Sequence, residues 1–469
     1  MNAATDTRRG LAVLALAAAA LLGCGSAERA PAAANSGASG PAGGSPTAGG
    51  GGSGSGTPNG GTSGNGATPG SSGTPSQGGT MSGSAGTGGP TRVCVNEPVE
   101  PVNCGATCTA VRANGPPDNR VSLVLLGEGF TEPEIGSVYA PHAEELAKYM
   151  FDNANDSEPY VRYKRFINFY RIDLVSNESG IDDPESGHYV DTPLDGETGC
   201  SDLAGQMCTV RWSKALDAFD NAFAGSQVGH IDWRLITLNY EGGCGVTHYP
   251  SRGSLAIYCP YQAESPDIAL HEGGHGFHLL GDTYWTIDGT YSGPEPSNVN
   301  LSKDSTGQKW QHWLDYDDPT LGVIGAFEGG GQYTQGLYRR SLNQKMGSAE
   351  RCHEPGPPYC PHDAVSREKI ILDIYGLVRP LDAWSKNDAL LVDPDTLTVD
   401  VVDCDVVEVD WWVDGQLLLA DHGEQLVLRD HRLAPGRHTI EARAHDDTEW
   451  VRLERSALEQ VVTWQVEVP

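Results

Sequence analysis

The chain has 469 residues, a formal net charge of −31 and 7% aromatic residues. Such acidity argues against nucleic acid or an anionic membrane surface as a partner. The length allows one large domain and a smaller one.

Arg8 and Arg9 precede a short apolar run from Leu11 to Leu22. A permanent bilayer span needs about 20 apolar residues, so residues 1–24 are expected to be an export signal. The run ends Leu21-Leu22-Gly23-Cys24, which resembles the lipobox of bacterial lipoproteins and implies a lipid on Cys24. Residues 25–91 are almost wholly Gly, Ser, Thr, Ala, Pro and Asn, with Glu28 and Arg29 the only charges. A segment so poor in large apolar side chains cannot offset the entropy of ordering. It is expected to be a tether with an end-to-end distance of roughly 40–50 Å. The protein is therefore expected to be exported and lipid-anchored to the bacterial envelope at its outer surface, touching membrane only through Cys24.

Setting Cys24 aside leaves ten of the 11 cysteines, and disulfides are the default in an exported chain. Close spacing suggests Cys200 with Cys208, Cys244 with Cys259 and Cys352 with Cys360. The pairing of Cys94, Cys104, Cys108 and Cys404 stays open.

Arg120 to Leu126 reads as a buried strand, Pro141 to Phe151 as a helix and Phe166 to Leu174 as a strand. Val210 to Phe223 is helical again, and Trp233 to Asn239 is another apolar strand. A Gly- and Cys-rich loop follows, then a strand from Gly253 to Tyr258. Ser265-Pro266-Asp267 supplies a helix start before the apolar run Ile268 to Leu280, and Gly281 supplies a stop. Strands alternating with helices over residues 92–378 predict an α/β layer domain. Six short strands follow between Leu397 and Val468, with turn signals at Asp414-Gly415 and Pro435-Gly436. Residues 379–469 are therefore expected to form an all-β, immunoglobulin-like sandwich.

His271 and His275 lie four apart on the expected helix, so both rings leave one face about a turn apart. Two imidazoles at that spacing can share one Zn²⁺. Glu272 can reach a water on the metal without ligating, and can take the proton as that water attacks a peptide carbonyl. For a third ligand, Asp282 just after Gly281 and the distant Glu328 are the candidates. His278 lies about 10 Å along a straight helix from His271 and reads as a rim or packing residue.

The stretch His271-Glu272-Gly273-Gly274-His275-Gly276-Phe277 through Leu280-Gly281-Asp282-Thr283-Tyr284 resembles the zinc helix of the bacterial IgA-peptidase family of metallopeptidases. Leu125 to Thr131, Asn168 to Arg171, Ser176 to Gly180, Phe327 to Gly329 and Leu337 to Met346 are similar to further blocks of that family in the same order. The resemblance spans roughly residues 118–376. It implies an α+β zincin-like zinc endopeptidase acting on extracellular protein or peptide, with Met346 as a Met-turn beneath the metal. The chain departs from the family's pattern at Thr283 and His278. Tyr338 is a candidate oxyanion donor. By analogy with zincins, the strand at 253–258 would form the cleft edge that pairs with an extended substrate. The rival reading is a surface-tethered binding protein built on a catalytically idle scaffold, against which the intact His271, Glu272 and His275 speak.

Overall fold

A computed structural model describes residues 102–199, 208–348 and 360–469. The expectations for the export signal, Cys24, the tether, Cys94, Cys200 and Cys352 lie outside these residues.

Strand β2 (Val121–Glu128) is buried at every position. Its side chains alternate, Val121, Leu123 and Leu125 entering one apolar cluster and Val124 and Leu126 another, as the period of two requires. A strand covered on both faces reads as a continuous apolar run. Around it the sheet runs β1 (Cys108–Arg112), β3 (Ile167–Ile172), β2, β4 (Trp233–Leu238), β6 (Leu255–Tyr258), β5 (Gly245–His248). The middle four are parallel, and β1 and β5 run antiparallel at the two edges.

A three-residue helix α1 (Glu132–Glu134), capped by Thr131, leads through a π turn into α2 (Ala140–Asp152). Helices α2 and α4 (Ser265–Gly276) bury their apolar residues on the first face of the sheet, and α3 (Trp212–Ala222) on the second. The edge of the sheet differs from expectation. Strand β6 sits between β4 and β5, so the edge is β5, within the stretch read as a loop. Four residues with only Val246 buried leave too short a pattern to read.

Beyond α4, β7 (Trp285–Thr290) pairs in parallel with β12 (Gln332–Arg339), which also pairs with β11 (Phe327–Gly330) and β8 (Leu301–Ser302). A two-residue ribbon, β9 (Asp317–Asp318) with β10 (Gly322–Val323), lies between. Helix α5 (Ala364–Leu377) was not foreseen. It is buried on several sides, with Arg367 and Glu368 buried beside Ile370 and Ile371, so no apolar stripe marks it.

The C-terminal region is β-rich, as expected, and forms two sheets. One holds β13 (Leu381–Trp384), β15 (Thr396–Val401) and β18 (Gln425–Val427). The other runs β14 (Leu391–Val392), β20 (Glu459–Val468), β19 (Gly436–His445), β16 (Glu408–Val413), β17 (Gln416–His422). Trp411 and Trp464 stack inside it at 5.7 Å. Their cluster is continuous with the one beneath α2 and α4.

Disulfides join Cys104 to Cys108 and, as spacing suggested, Cys244 to Cys259. Cys360 and Cys404 are disulfide-bonded. Cys208, expected to pair with Cys200, is a free buried thiol.

Candidate active site

Helix α4 begins with Pro266 in its first turn and Asp267 beside it. It ends at Gly276, earlier than the apolar run suggested, and Leu279 at φ 54° turns the chain back before Gly281 is reached. Asn300 then clamps Gly281 from both sides, accepting from its N–H at 2.8 Å and donating to its carbonyl at 2.7 Å. These contacts deliver Asp282 to the histidine face.

The Nε2 atoms of His271 and His275 lie 3.1 Å apart. Asp282 Oδ1 stands 3.2 Å from the first and 3.1 Å from the second. Both rings are oriented from behind. Nδ1 of His271 sits 2.9 Å from the Lys345 carbonyl, and Nδ1 of His275 sits 2.6 Å from the Leu280 carbonyl. A carbonyl only accepts, so each Nδ1 carries a proton and it is Nε2 of each ring that turns inward.

Such a triangle fits a tetrahedral metal. Bonds of about 2.0–2.1 Å imply donor separations of about 3.3–3.4 Å, close to those found. His271, His275 and Asp282 are therefore the residues that could hold Zn²⁺. Glu328 is exposed on β11, where its Oε1 accepts from the Gly336 N–H at 3.1 Å, apart from this group. His278 is buried, its ring tilted against that of Phe277 and its Nδ1 2.9 Å from Asp373 of α5.

Glu272 is buried beside the triangle, its Oε2 accepting from the Thr247 hydroxyl of β5 at 2.8 Å. A Cβ on Gly245 would stand 2.8 Å from Glu272 Oε1, so glycine lets the edge strand approach this carboxylate. Burial raises the Glu272 pKa, against the opposing pull of His271, His275 and Thr247. Burial would depress His275, but the Asp282 carboxylate outweighs it and pushes the imidazole up to about 9. Burial likewise opposes charge on Asp282, and the two imidazoles still hold it well below the usual carboxylate range.

Met346 is fully buried under the helix, where a Cβ on Gly274 would meet its Sδ at 2.6 Å. Its carbonyl accepts from Thr283 N–H at 2.8 Å. Lys345 pairs with Asp267, tying this turn to the start of α4.

Tyr338 lies half-buried on β12, in register with Glu328 and Ser302. Among the described residues no hydrogen bond or ring contact links it to the triangle. Two other phenols come closer. The Tyr249 hydroxyl is 3.3 Å from the His275 carbonyl, and the Tyr284 ring is 6.2 Å from that of His271. Burial, then the Asp282 charge, keeps the Tyr284 phenol protonated. Sequence reasoning also missed Thr247 and Asn300. Neither carries a local signal, because each acts on a residue 19 or more positions away.

A mixed α/β layer with two histidines and two carboxylates gathered on one helix end has the make-up of a hydrolase site. Residues 109–322 match the family model described as IgA Peptidase M64, which supports a peptidase. The match contains His271, Glu272, His275 and Asp282 and stops short of Glu328, Tyr338 and Met346. No curated protein matches the chain.

Proposed function

We propose that the protein is a zinc-dependent endopeptidase of extracellular proteins, exported and held to the envelope by a lipid on Cys24. Residues 379–469 are read as an immunoglobulin-like sandwich beside the peptidase domain. The observation that carries the catalytic reading is the near-equilateral triangle of His271 Nε2, His275 Nε2 and Asp282 Oδ1, with Glu272 buried next to it. Zn²⁺ held there would supply Lewis acidity, lowering the pKa of a water towards about 7. Glu272, steadied by Thr247, takes the proton from the attacking water and passes it to the leaving amine. An extended peptide would add to the outer edge of β5, with Tyr249 or Tyr284 nearer than Tyr338 for hydrogen-bonding the carbonyl oxygen. The idle-scaffold alternative is not favoured by the peptidase match.

The test uses three variants. Glu272→Gln should bind zinc as the wild type does yet lose at least 10²–10⁴-fold of proteolysis. Asp282→Asn should weaken zinc binding, and Glu328→Gln should not. Full activity in Glu272→Gln, or unchanged zinc affinity in Asp282→Asn, would overturn the assignment.

A further inference from the structure

The glycine run after Glu328 has an unusual backbone. Gly329, Gly330 and Gly331 lie at φ 98°, 152° and 58°, and the next residue, Gln332, also lies in the left-handed region at 74°. Glycine adopts such angles freely, whereas a residue with a Cβ does so at a cost. Space is short as well. A Cβ on Gly330 would stand 2.8 Å from Leu301 Cδ2, and one on Gly331 would stand 2.6 Å from Leu337 Cδ1. The run docks by its backbone onto the segment that carries Asp282. Gly331 N–H donates to the Asp282 carbonyl at 2.8 Å, and Gln332 N–H donates to the Tyr284 carbonyl at 3.1 Å.

What this docking delivers is the Gln332 side chain. Its Nε2 donates to Asp282 Oδ2 at 2.7 Å, on the carboxylate oxygen turned away from the histidines. Its Oε1 accepts from the Thr286 hydroxyl of β7 at 2.9 Å. The orientation of the amide follows from chemistry, since an ionised carboxylate can only accept.

We infer that Gln332 is the positioning residue of the metal centre. It occupies Asp282 Oδ2, so that Oδ1 alone is offered beside the two imidazoles. Thr286 prevents the amide from turning over. The Phe327-Glu328-Gly329-Gly330-Gly331 motif thus serves the site through the residue that follows it, and Glu328 itself is not a ligand. This rests on the zinc reading proposed above.

Gln332→Gly is the discriminating variant, because glycine keeps the left-handed backbone without strain and removes the side chain that carries the amide. Zinc affinity of the full chain, measured by competition with a chromophoric chelator, should fall 10–100-fold, the usual effect of losing a partner that orients a ligand. The thermal midpoint of the metal-free protein should stay level or rise, which a purely structural role would not allow. Thr286→Val should lose a smaller factor, and should add nothing in the Gln332→Gly background, because both act through one amide. Affinity within twofold of wild type in Gln332→Gly would overturn the inference while leaving the zinc site standing. A wild type that takes up no zinc would overturn both.

Discussion

Gly273 and Gly274, inside the His271–His275 motif, answer to different neighbours. A Cβ on Gly273 would reach within 2.1 Å of Cζ2 of Trp233, a rigid indole that is almost fully buried and stacked on Phe277. On Gly274 the obstacle is the Met346 thioether, which can move. Overpacking a close-packed interior costs about 1–3 kcal/mol, and the cost depends on how far the neighbour can yield. Gly273→Ala should therefore destabilise the protein more than Gly274→Ala, by denaturant titration. Gly274→Ala should instead lower activity by disturbing the turn that supports His271. Equal stability losses in the two variants would mean that Trp233 is freer to move than its packing indicates.

At the scale of elements, the sheet and its helices are tied by polar contacts as well as apolar ones. His142 of α2 lies 2.8 Å from the Tyr258 hydroxyl of β6, in a nearly closed environment. Burial lowers its pKa from 6.5 to about 4, so the ring is neutral, and its tautomer sets which of the two groups donates. Because the folded value lies below the unfolded one, the unfolded chain takes up the proton first on acidification. This contribution is complete above pH 6.5 and is lost as pH falls from there towards 4, by roughly 3 kcal/mol in all. Unfolding free energies measured between pH 7 and 4 should show that slope, and His142→Gln should reduce it, leaving the share of His248, which burial also lowers to about 4. An unchanged slope in the variant would assign the acid sensitivity to other groups. The same interlocking holds β5 to α4, where Thr247 reaches both the carboxylate and the backbone carbonyl of Glu272.

Across the whole molecule, the C-terminal sheets are bound to the α/β layer by buried charge. Asp446 is buried and accepts from Tyr163 at 2.6 Å, Tyr375 at 3.0 Å and Arg162 at 2.8 Å. Arg120 donates to both oxygens of Asp382 at 2.6 Å. Removing one partner of a buried pair costs about 3–5 kcal/mol, and the apolar cluster is continuous across the same boundary. Calorimetry of the metal-free chain should therefore show one cooperative transition, with calorimetric and van't Hoff enthalpies in agreement. Two resolved transitions would show that the boundary near residue 379 separates independent folding units.

The sequence by itself determined what depends on near neighbours. The buried run at Val121–Leu126, the His271–His275 spacing and the Asp414-Gly415 turn, found at φ 49° and 79°, each express a local rule of geometry. Asp282 was legible as one of two candidates, because it follows His275 by seven positions. The tertiary structure alone decided which strand forms the edge of the sheet, and which of Asp282 and Glu328 meets the imidazoles. It alone brought Thr247 to Glu272 and Gln332 to Asp282, across 25 and 50 positions. A helix or strand period carries information over a few residues, whereas these contacts are set by how separate elements pack.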